Sequence, residues 1–158
     1  GECHGVHYFF MTKEEFEEQI ANGQMLEHAE YCGKYYGTPS SQIMDWIEEG
    51  RDVVLEIEVQ GARQIKEKRP DCVSIFVLPP SLEELEKRLR YRNTEDEETI
   101  QKRLAVARQE METARDYDYV IVNDTIEHTV EQINKIIAAE KLKVSRAKSN
   151  IERVLNND

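Results

Sequence analysis

The residues best suited to bind a ligand lie between Gly33 and Pro39, where glycines flank a pair of tyrosines and a threonine follows. Glycine lets the backbone turn tightly or approach a ligand, and each tyrosine adds a rigid ring with a hydroxyl at its tip. The carboxylate of Glu27 precedes this segment by six residues. The pattern indicates a site for an anionic or aromatic ligand. An ordinary β-hairpin with surface tyrosines explains the same residues.

Three arginines form a second group of residues that could bind a ligand or assist catalysis. Arg88 and Arg92 are four residues apart and share a helix face, and Arg103 lies on the next predicted helix. Guanidinium groups bind phosphate oxygens with two donors and stay charged at any working pH. Around a flexible joint they suit a lid that closes over transferring phosphates. A solvated, salt-bridged helix face is the alternative.

Composition limits the partners of the chain. Its 158 residues fit one domain, and 32 acids against 21 Lys plus Arg give a net charge of −11. This charge argues against bulk binding to nucleic acid or to an anionic membrane. No apolar run approaches the roughly 20 residues that cross a bilayer, and no signal peptide is visible. Three widely spaced cysteines favour a reducing cytoplasm over a disulfide framework.

The elements that must position these groups follow from apolar periodicity. In the first half we predict a strand, a capped helix, a hairpin and a second helix. The strand is Val6–Phe10. The first helix starts at Thr12 with Glu15 and ends at Asn22-Gly23, and the hairpin is Met25–Tyr36, turning at Gly33-Lys34. The second helix has Thr38 as a cap before Pro39 and ends at Gly50.

The second half alternates apolar strands with helices. Predicted strands are Val53–Glu58, Cys72–Leu78 and Tyr119–Val122, and helices run to about Lys68, from Ser81 with Glu84, from Thr94 with Glu97, and from Thr125. This order predicts an α/β fold with a parallel sheet covered on both faces. Ligands collect beyond the carboxyl ends of such strands, where Glu56, Glu58 and Asn123 lie.

Taken together, the motifs resemble the guanylate kinase family, in its order and spacing, from Gly1 to Lys141. The matching segments are Gly1-Glu2 with Gly5 and Tyr8; Leu26-Glu27 with Ala29; Tyr35-Tyr36-Gly37-Thr38; Leu55 to Ala62; Pro79-Pro80-Ser81; Arg88, Arg92 and Arg103; and Tyr117 to Asp124. Any one of these motifs is weak, whereas the ordered set is highly specific.

The resemblance implies a P-loop nucleoside monophosphate kinase fold. Its parallel-sheet core would carry an inserted mixed α+β segment that binds GMP and a helical lid. On this basis residues 1–47 form the GMP-binding segment with a connecting helix. Residues 48–82 and 117–158 form the core, and residues 83–116 form the lid.

The resemblance also assigns a GMP site. Tyr8 and Tyr36 would hydrogen-bond the GMP phosphate, and Gly37 with Thr38 would help position the nucleotide. Glu27 would accept hydrogen bonds from the ring N–H and the amino group of guanine.

Further roles carried over from the family concern the base, the donor and the metal. Glu58 would add a second carboxylate near the base. Arg88, Arg92 and Arg103 would be the lid cations at the transferring phosphoryl group, and Asn123 would contact the adenine of ATP. Mg²⁺ would arrive with ATP and have no direct protein ligand, although Glu56 is a candidate for contact through water.

The chain departs from the family pattern in three ways. His28 stands where an aromatic ring is common, and Asn93 where a glycine often lies at the lid joint. No GxxxxGK[ST] phosphate loop is present, so we expect this polypeptide alone to transfer phosphate from ATP poorly. A longer native protein, a deliberately shortened chain and a domain that has lost catalysis all explain that absence.

Two other functions fit the same motifs. One is a non-catalytic guanylate-kinase-like module that uses the GMP-binding region to dock proteins, and the other is a kinase for a different nucleotide. For the enzyme we expect GMP and ATP as partners, no nucleic acid, no membrane, and a homodimer as a candidate assembly. The basic tail, residues 142–158, is predicted to extend the last helix against the domain or a twin subunit.

Overall fold

The structure is a computed structural model that describes residues 3–4, 8–31, 34–91 and 96–156. The chain forms two compact units, Gly1–Cys72 and Val73–Asp158, here named the N-terminal and C-terminal units. None of the described helices is long and apolar enough to cross a membrane. The division into a GMP-binding segment, a core and a lid stays a prediction.

The N-terminal unit begins with helix α1 (Lys13–Ala21), whose boundaries the sequence predicted correctly. The Thr12 hydroxyl accepts a hydrogen bond from the Glu15 N–H at 3.2 Å, and the Glu15 carboxylate accepts one from the Thr12 N–H at 2.7 Å. This reciprocal capping box satisfies two N–H groups that the helix cannot. Asn22 ends the helix, and Gly23 follows with a φ of +68°.

The predicted hairpin is confirmed. Strands β1 (Met25–Tyr31) and β2 (Lys34–Pro39) pair antiparallel, with Glu27 opposite Thr38 and His28 opposite Gly37. The register shifts between Met25 and Glu27. Gly33, predicted in the turn, lies outside the described residues.

Helix α2 (Ser40–Glu48) shows that the predicted cap was wrong. Pro39 holds the N-cap position without a side-chain hydrogen bond, because β2 continues through Thr38 to Pro39. The Thr38 hydroxyl is therefore directed to β1. Gly50, with a φ of +80°, follows the helix as predicted.

One predicted strand, Val53–Glu58, is absent from the described part of the chain. Residues 51–58 form no strand: Val53, Leu55 and Ile57 are half-buried against the core, whereas Val54 is 72% exposed. The alternation fits an extended segment covered on one side, and no described strand offers it a ladder of hydrogen bonds. Of the predicted strand Val6–Phe10, Val6 and His7 lie outside the described residues, and Tyr8 forms an isolated bridge with His4.

The core of the N-terminal unit is formed by Leu26, Ile43 and Ile65, which come from β1, α2 and helix α3 (Val59–Lys68). Trp46 and Cys72 pack against this cluster with the extended segment. Helix α3 was predicted to end at about Lys68, and it does.

The C-terminal unit contains the predicted parallel pair, β3 (Ile75–Leu78) and β4 (Tyr119–Val122), with Ile75 opposite Tyr119. Between the strands lie α4 (Leu82–Tyr91), α5 (Glu97–Thr113) and a short 3₁₀ helix (Ala114–Asp116). Helices α6 (Ile126–Lys141) and α7 (Lys148–Asn156) follow β4.

The helix starts of this unit test the predicted caps. The Ser81 hydroxyl accepts a hydrogen bond from the Glu84 N–H at 3.0 Å, which is one half of the predicted capping box, while the Glu84 carboxylate accepts from Nε of Arg88. Helix α6 starts after Thr125 as predicted, and the Thr125 hydroxyl caps it. The cap of α5 is Asp96, which accepts from the Thr99 N–H at 2.8 Å. Glu97 is thus the first helical residue of α5. Thr94, the predicted start of this helix, lies outside the described residues.

The tail does not extend α6. The chain turns after Lys141 and forms the separate helix α7. The turn places Lys143 and Arg146 on the carboxylate of Glu140, at 2.6 and 3.5 Å. After Ala139 the backbone hydrogen bonds span three residues, from the N–H of Leu142 to the Ala139 carbonyl and from that of Lys143 to the Glu140 carbonyl, and such bonds tighten the last turn where a helix ends.

Candidate functional site

The carboxylate of Glu27 is buried in the N-terminal unit. Glu27 is 4% exposed, and its Oε1 accepts a hydrogen bond of 2.6 Å from the Thr38 hydroxyl on the facing strand. A buried carboxylate is costly unless it is hydrogen-bonded. The hairpin register therefore brings two of the predicted site residues together as a buried acceptor and its donor.

Gly61 leaves room for the other oxygen of this carboxylate. A Cβ built on Gly61 would overlap Oε2 of Glu27 and lie 3.0 Å from its Cδ. Gly61 is in the first turn of α3, which begins at Val59. Because the N-terminus of a helix favours negative charge, the first turn of α3 is a suitable neighbour for Glu27.

Two further side chains of α3 hold β1, and sequence analysis missed both. The Gln64 amide accepts a hydrogen bond from the His28 N–H at 3.1 Å and donates one to the His28 carbonyl at 2.7 Å. Lys68 donates to the carbonyls of Met25 and Leu26 at 3.0 and 2.7 Å. Gln64 and Lys68 share a helix face with Gly61, but a polar side chain on a helix does not by itself indicate which backbone group it contacts.

The two tyrosines predicted to bind phosphate lie side by side. The ring centroids of Tyr8 and Tyr36 are 6.1 Å apart with an interplanar angle of 65°, and the residues are 49% and 41% exposed. Near Tyr8, the Phe10 N–H donates to Nδ1 of His4 at 3.0 Å. The structure thus brings both hydroxyl-bearing rings to one exposed surface of the N-terminal unit.

Gly37 has a steric reason to lack a side chain. A Cβ at this position would lie 3.0 Å from the carbonyl oxygen of Glu27 and 3.0 Å from Cζ of Phe16. Gly37 therefore lets β2 lie close to the peptide of Glu27 and to the Phe16 ring of α1. Its predicted contact with substrate stays a prediction.

Glu56 and Glu58 are exposed and two residues apart on the extended segment that precedes α3. Glu58 occupies the N-cap position of α3 and makes no side-chain cap. In the described part of the chain, no three carboxylate, His or Cys side chains gather as metal ligands.

In the C-terminal unit, Arg88 meets Asn123. Nη1 of Arg88 donates to the Asn123 carbonyl at 3.0 Å, and its Nε donates to Glu84 at 3.0 Å. Both residues line a cleft of about 270 Å³ with apolar residues of β3 and α4. A predicted lid cation and the predicted adenine contact therefore border the same cleft.

The other two predicted lid arginines are Arg92 and Arg103. Arg103 is half-buried on α5, and Arg92 lies outside the described residues. Sequence analysis missed Arg90, which donates to Glu86 on α4 and to Glu97 at the start of α5. Arg90 thus ties α4 to α5.

The family assignment follows from comparison with known proteins. The guanylate kinase family model matches residues 1–140. The chain belongs to the guanylate kinase family. It is 51% identical over 146 residues to the guanylate kinase of Desulfitobacterium hafniense, covering 92% of this chain and 73% of that protein. With the guanylate kinase of Clostridioides difficile it shares 52% over 151 residues, 96% of this chain and 74% of the relative.

Comparison with solved structures also supports the guanylate kinase fold. The crystal structure of guanylate kinase from Anaplasma phagocytophilum superposes with a TM-score of 0.78 at 39% identity, over 92% of this chain and 71% of that one. The expected P-loop nucleoside monophosphate kinase fold is confirmed. So is the expected function of a guanylate kinase, ATP-dependent phosphorylation of GMP, and the non-catalytic interaction module is not favoured.

Proposed function

We propose that the N-terminal unit binds GMP with its guanine on Glu27. The observation that carries this proposal is the buried carboxylate, held through Oε1 by Thr38. Guanine presents a ring N–H and an amino group side by side, which one carboxylate accepts together. Adenine presents an acceptor in place of the ring donor, so a buried Glu27 would face a lone pair. Mismatches of this kind discriminate by about four orders of magnitude.

The phosphate of GMP would lie at the exposed rings of Tyr8 and Tyr36. The two rings are in contact, with centroids 6.1 Å apart, which supports a shared role at one anion. Gly37 and Thr38 would position the nucleotide from β2. Glu58, exposed at the start of α3, would approach the base as a second carboxylate.

The C-terminal unit would take the donor nucleotide and the transferring group. Asn123, at the cleft bordered by Arg88, would contact the adenine of ATP. Arg88, Arg92 and Arg103 would stabilise charge that develops on the phosphoryl group. Phosphoryl transfer asks mainly for such positioning and charge, with little covalent chemistry from the protein.

Magnesium fits this arrangement as a companion of ATP. Mg²⁺ keeps several waters and is bound by one or two carboxylates plus substrate phosphates. Glu56, which is exposed, is the carboxylate that we propose to contact the ion through water. When bound, the ion would neutralise phosphate charge, and Glu56 would orient one of its waters.

We further propose a cytoplasmic enzyme that uses GMP and ATP, with a second copy of the chain as the candidate assembly partner. The supports are the bacterial guanylate kinases among its relatives and the three widely spaced cysteines. A reducing compartment suits such cysteines.

The test is the substitution Glu27→Gln, with titration calorimetry of GMP and of ATP. We expect the affinity for GMP to fall about 100-fold or more, because the amide turns one acceptor into a donor, and the binding of ATP to stay unchanged. Glu30→Gln, an exposed acid on the same strand, is the matched control. Equal losses for GMP and ATP would contradict the guanine role of Glu27.

A further inference from the structure

One face of helix α3 meets strand β1 at three successive positions. Gly61, Gln64 and Lys68 are spaced by three and four residues, which places them on the same side of a helix. Each contacts the segment around Glu27: Gly61 the carboxylate, Gln64 the peptide of His28, and Lys68 the carbonyls before it. We name these three residues the α3 clamp.

The contact of Gln64 fixes the residue directly after Glu27. One side-chain amide takes both backbone polar groups of His28, at 3.1 and 2.7 Å, much as a neighbouring strand would. Backbone groups at a sheet edge are otherwise open to water. The bidentate bond therefore defines where the peptide at Glu27 lies relative to α3.

Lys68 acts on the other side of Glu27. Its ammonium group donates to the Met25 and Leu26 carbonyls at 3.0 and 2.7 Å, where the strand register shifts between Met25 and Glu27. An irregular strand lacks the full ladder of hydrogen bonds that fixes a regular one. Lys68 supplies donors at this point.

Gly61 limits the carboxylate itself. Oε1 of Glu27 is held by Thr38 at 2.6 Å, while Oε2 occupies the space that a side chain at position 61 would fill. A larger residue there would require the carboxylate to move. The side chain of Glu27 is thus defined from β2 and from α3 together.

We propose that the α3 clamp sets the position of the Glu27 carboxylate and thereby the preference for guanine over other purines. This inference rests on the proposed function of Glu27. Gln64 and Lys68 are positioning residues, since they act through the backbone on either side of Glu27. Two parallel hydrogen bonds require aligned donors at about 2.7–3.0 Å, and a displacement of about 1 Å can cost up to 100-fold.

The experiment compares two ligands that differ by one donor. Inosine monophosphate keeps the ring N–H of GMP and lacks its amino group, so the ratio of the two dissociation constants reports how well Glu27 meets both donors. We would titrate each ligand into wild type, Gln64→Met and Lys68→Met. The matched control is Arg63→Met, an exposed residue on the same helix.

We expect the preference for GMP over inosine monophosphate to fall about tenfold in Gln64→Met, to fall less in Lys68→Met, and to stay unchanged in Arg63→Met. A merely structural role would lower the thermal midpoint and leave the ratio of the two affinities as in wild type. That result would overturn the proposal.

Gly61→Ala provides an independent variant. Alanine has a higher helix propensity than glycine, so the helix itself is not weakened, whereas the added methyl group displaces the carboxylate. We expect weaker GMP binding and a reduced ratio. An unchanged ratio in a folded Gly61→Ala protein would also overturn the proposal.

Different results would show that the proposed role of Glu27 in binding guanine is wrong. If wild type binds GMP no better than inosine monophosphate, or if Glu27→Gln leaves GMP binding intact, the proposed role of Glu27 fails. If both of those tests succeed and only the α3 clamp variants leave the ratio unchanged, the function stands and this inference alone fails.

Discussion

At the scale of single residues, Thr38 shows how a local signal can predict the wrong role. A threonine before a proline and a helix suggests an N-cap, but the hydroxyl donates to the buried Glu27 instead. A buried carboxylate gains more from a charge-assisted hydrogen bond than an exposed helix start does from a cap. Thr38 is therefore part of the site and leaves α2 uncapped by a side chain.

Replacement of Thr38 tests its role as the hydrogen-bond donor to Glu27. We expect Thr38→Val to lower the free energy of unfolding by about 1–3 kcal/mol and to weaken GMP binding, because Glu27 loses its donor in the buried site. Thr38→Ser keeps the hydroxyl and should stay near wild type in both. Urea unfolding and calorimetry measure the two effects. An unchanged stability of Thr38→Val would show that water replaces the hydroxyl at no cost.

The site residues differ in how well sequence could predict them. Glu27, Tyr8, Tyr36 and Thr38 belong to ordered motifs, and the structure brings them to the hairpin and its neighbourhood. Gln64 and Lys68 could not be predicted, because a polar residue on a helix gives no sign of which backbone group it meets. That choice depends on how α3 packs on the edge of β1, a tertiary contact.

At the scale of elements, helices were predicted better than strands. A helix satisfies its own backbone and carries its caps in the sequence, as α1 does with Thr12 and Glu15. A strand needs a partner. The apolar run Val53–Glu58 has strand composition, yet it forms no strand among the described residues because none of them pairs with it.

The tie between α4 and α5 leads to a pH prediction. Hydrogen bonds from Arg90, and one from Gln101, lower the pKa of Glu97 from 4.5 to about 2. Because this folded-state pKa lies below the ordinary value, the tie contributes stability above pH 4.5 and loses it as the pH falls through about 2. We expect the Glu97 carboxyl resonance in NMR to titrate near pH 2.

Removal of the partner tests the cause of that shift. In Arg90→Met we expect the Glu97 midpoint to move up toward 4.5, since the largest stabiliser of its charged form is gone. Lys102→Met is the control, because Lys102 pairs with Glu98 on the same helix and does not touch Glu97 in the described structure. A Glu97 midpoint that stays near 2 in Arg90→Met would assign the shift to another group.

At the scale of the whole molecule, the net charge of −11 conceals local pairing. Many of the cations pair with an acid four residues away on the same helix, as Lys87 does with Glu83 and Lys135 with Glu131. These pairs are largely exposed, and exposed ion pairs contribute about 0–1 kcal/mol. Glu140 differs because it is buried, at 5% exposure.

Glu140 joins three parts of the C-terminal unit. Its carboxylate accepts a hydrogen bond from the Tyr119 hydroxyl of β4 at 2.6 Å and pairs with Lys143 and Arg146 beyond the end of α6. Lys143 first, and then Tyr119, lower the pKa of Glu140 below its usual value. The sequence gives no sign of this junction, because the acid looks like any other at a helix end.

Glu140→Gln should therefore destabilise the C-terminal unit. We expect the thermal midpoint at neutral pH to fall on the order of 5 °C, since the buried carboxylate that joins Tyr119, Lys143 and Arg146 loses its charge. The exposed Glu131→Gln on the same helix should change it by roughly 1 °C or less. Because the folded-state pKa of Glu140 is lowered, its contribution is present above pH 4.5 and lost in acid. The gap between wild type and Glu140→Gln should narrow as the pH falls below 4.5, and a gap independent of pH would rule out the charge of Glu140 as its source.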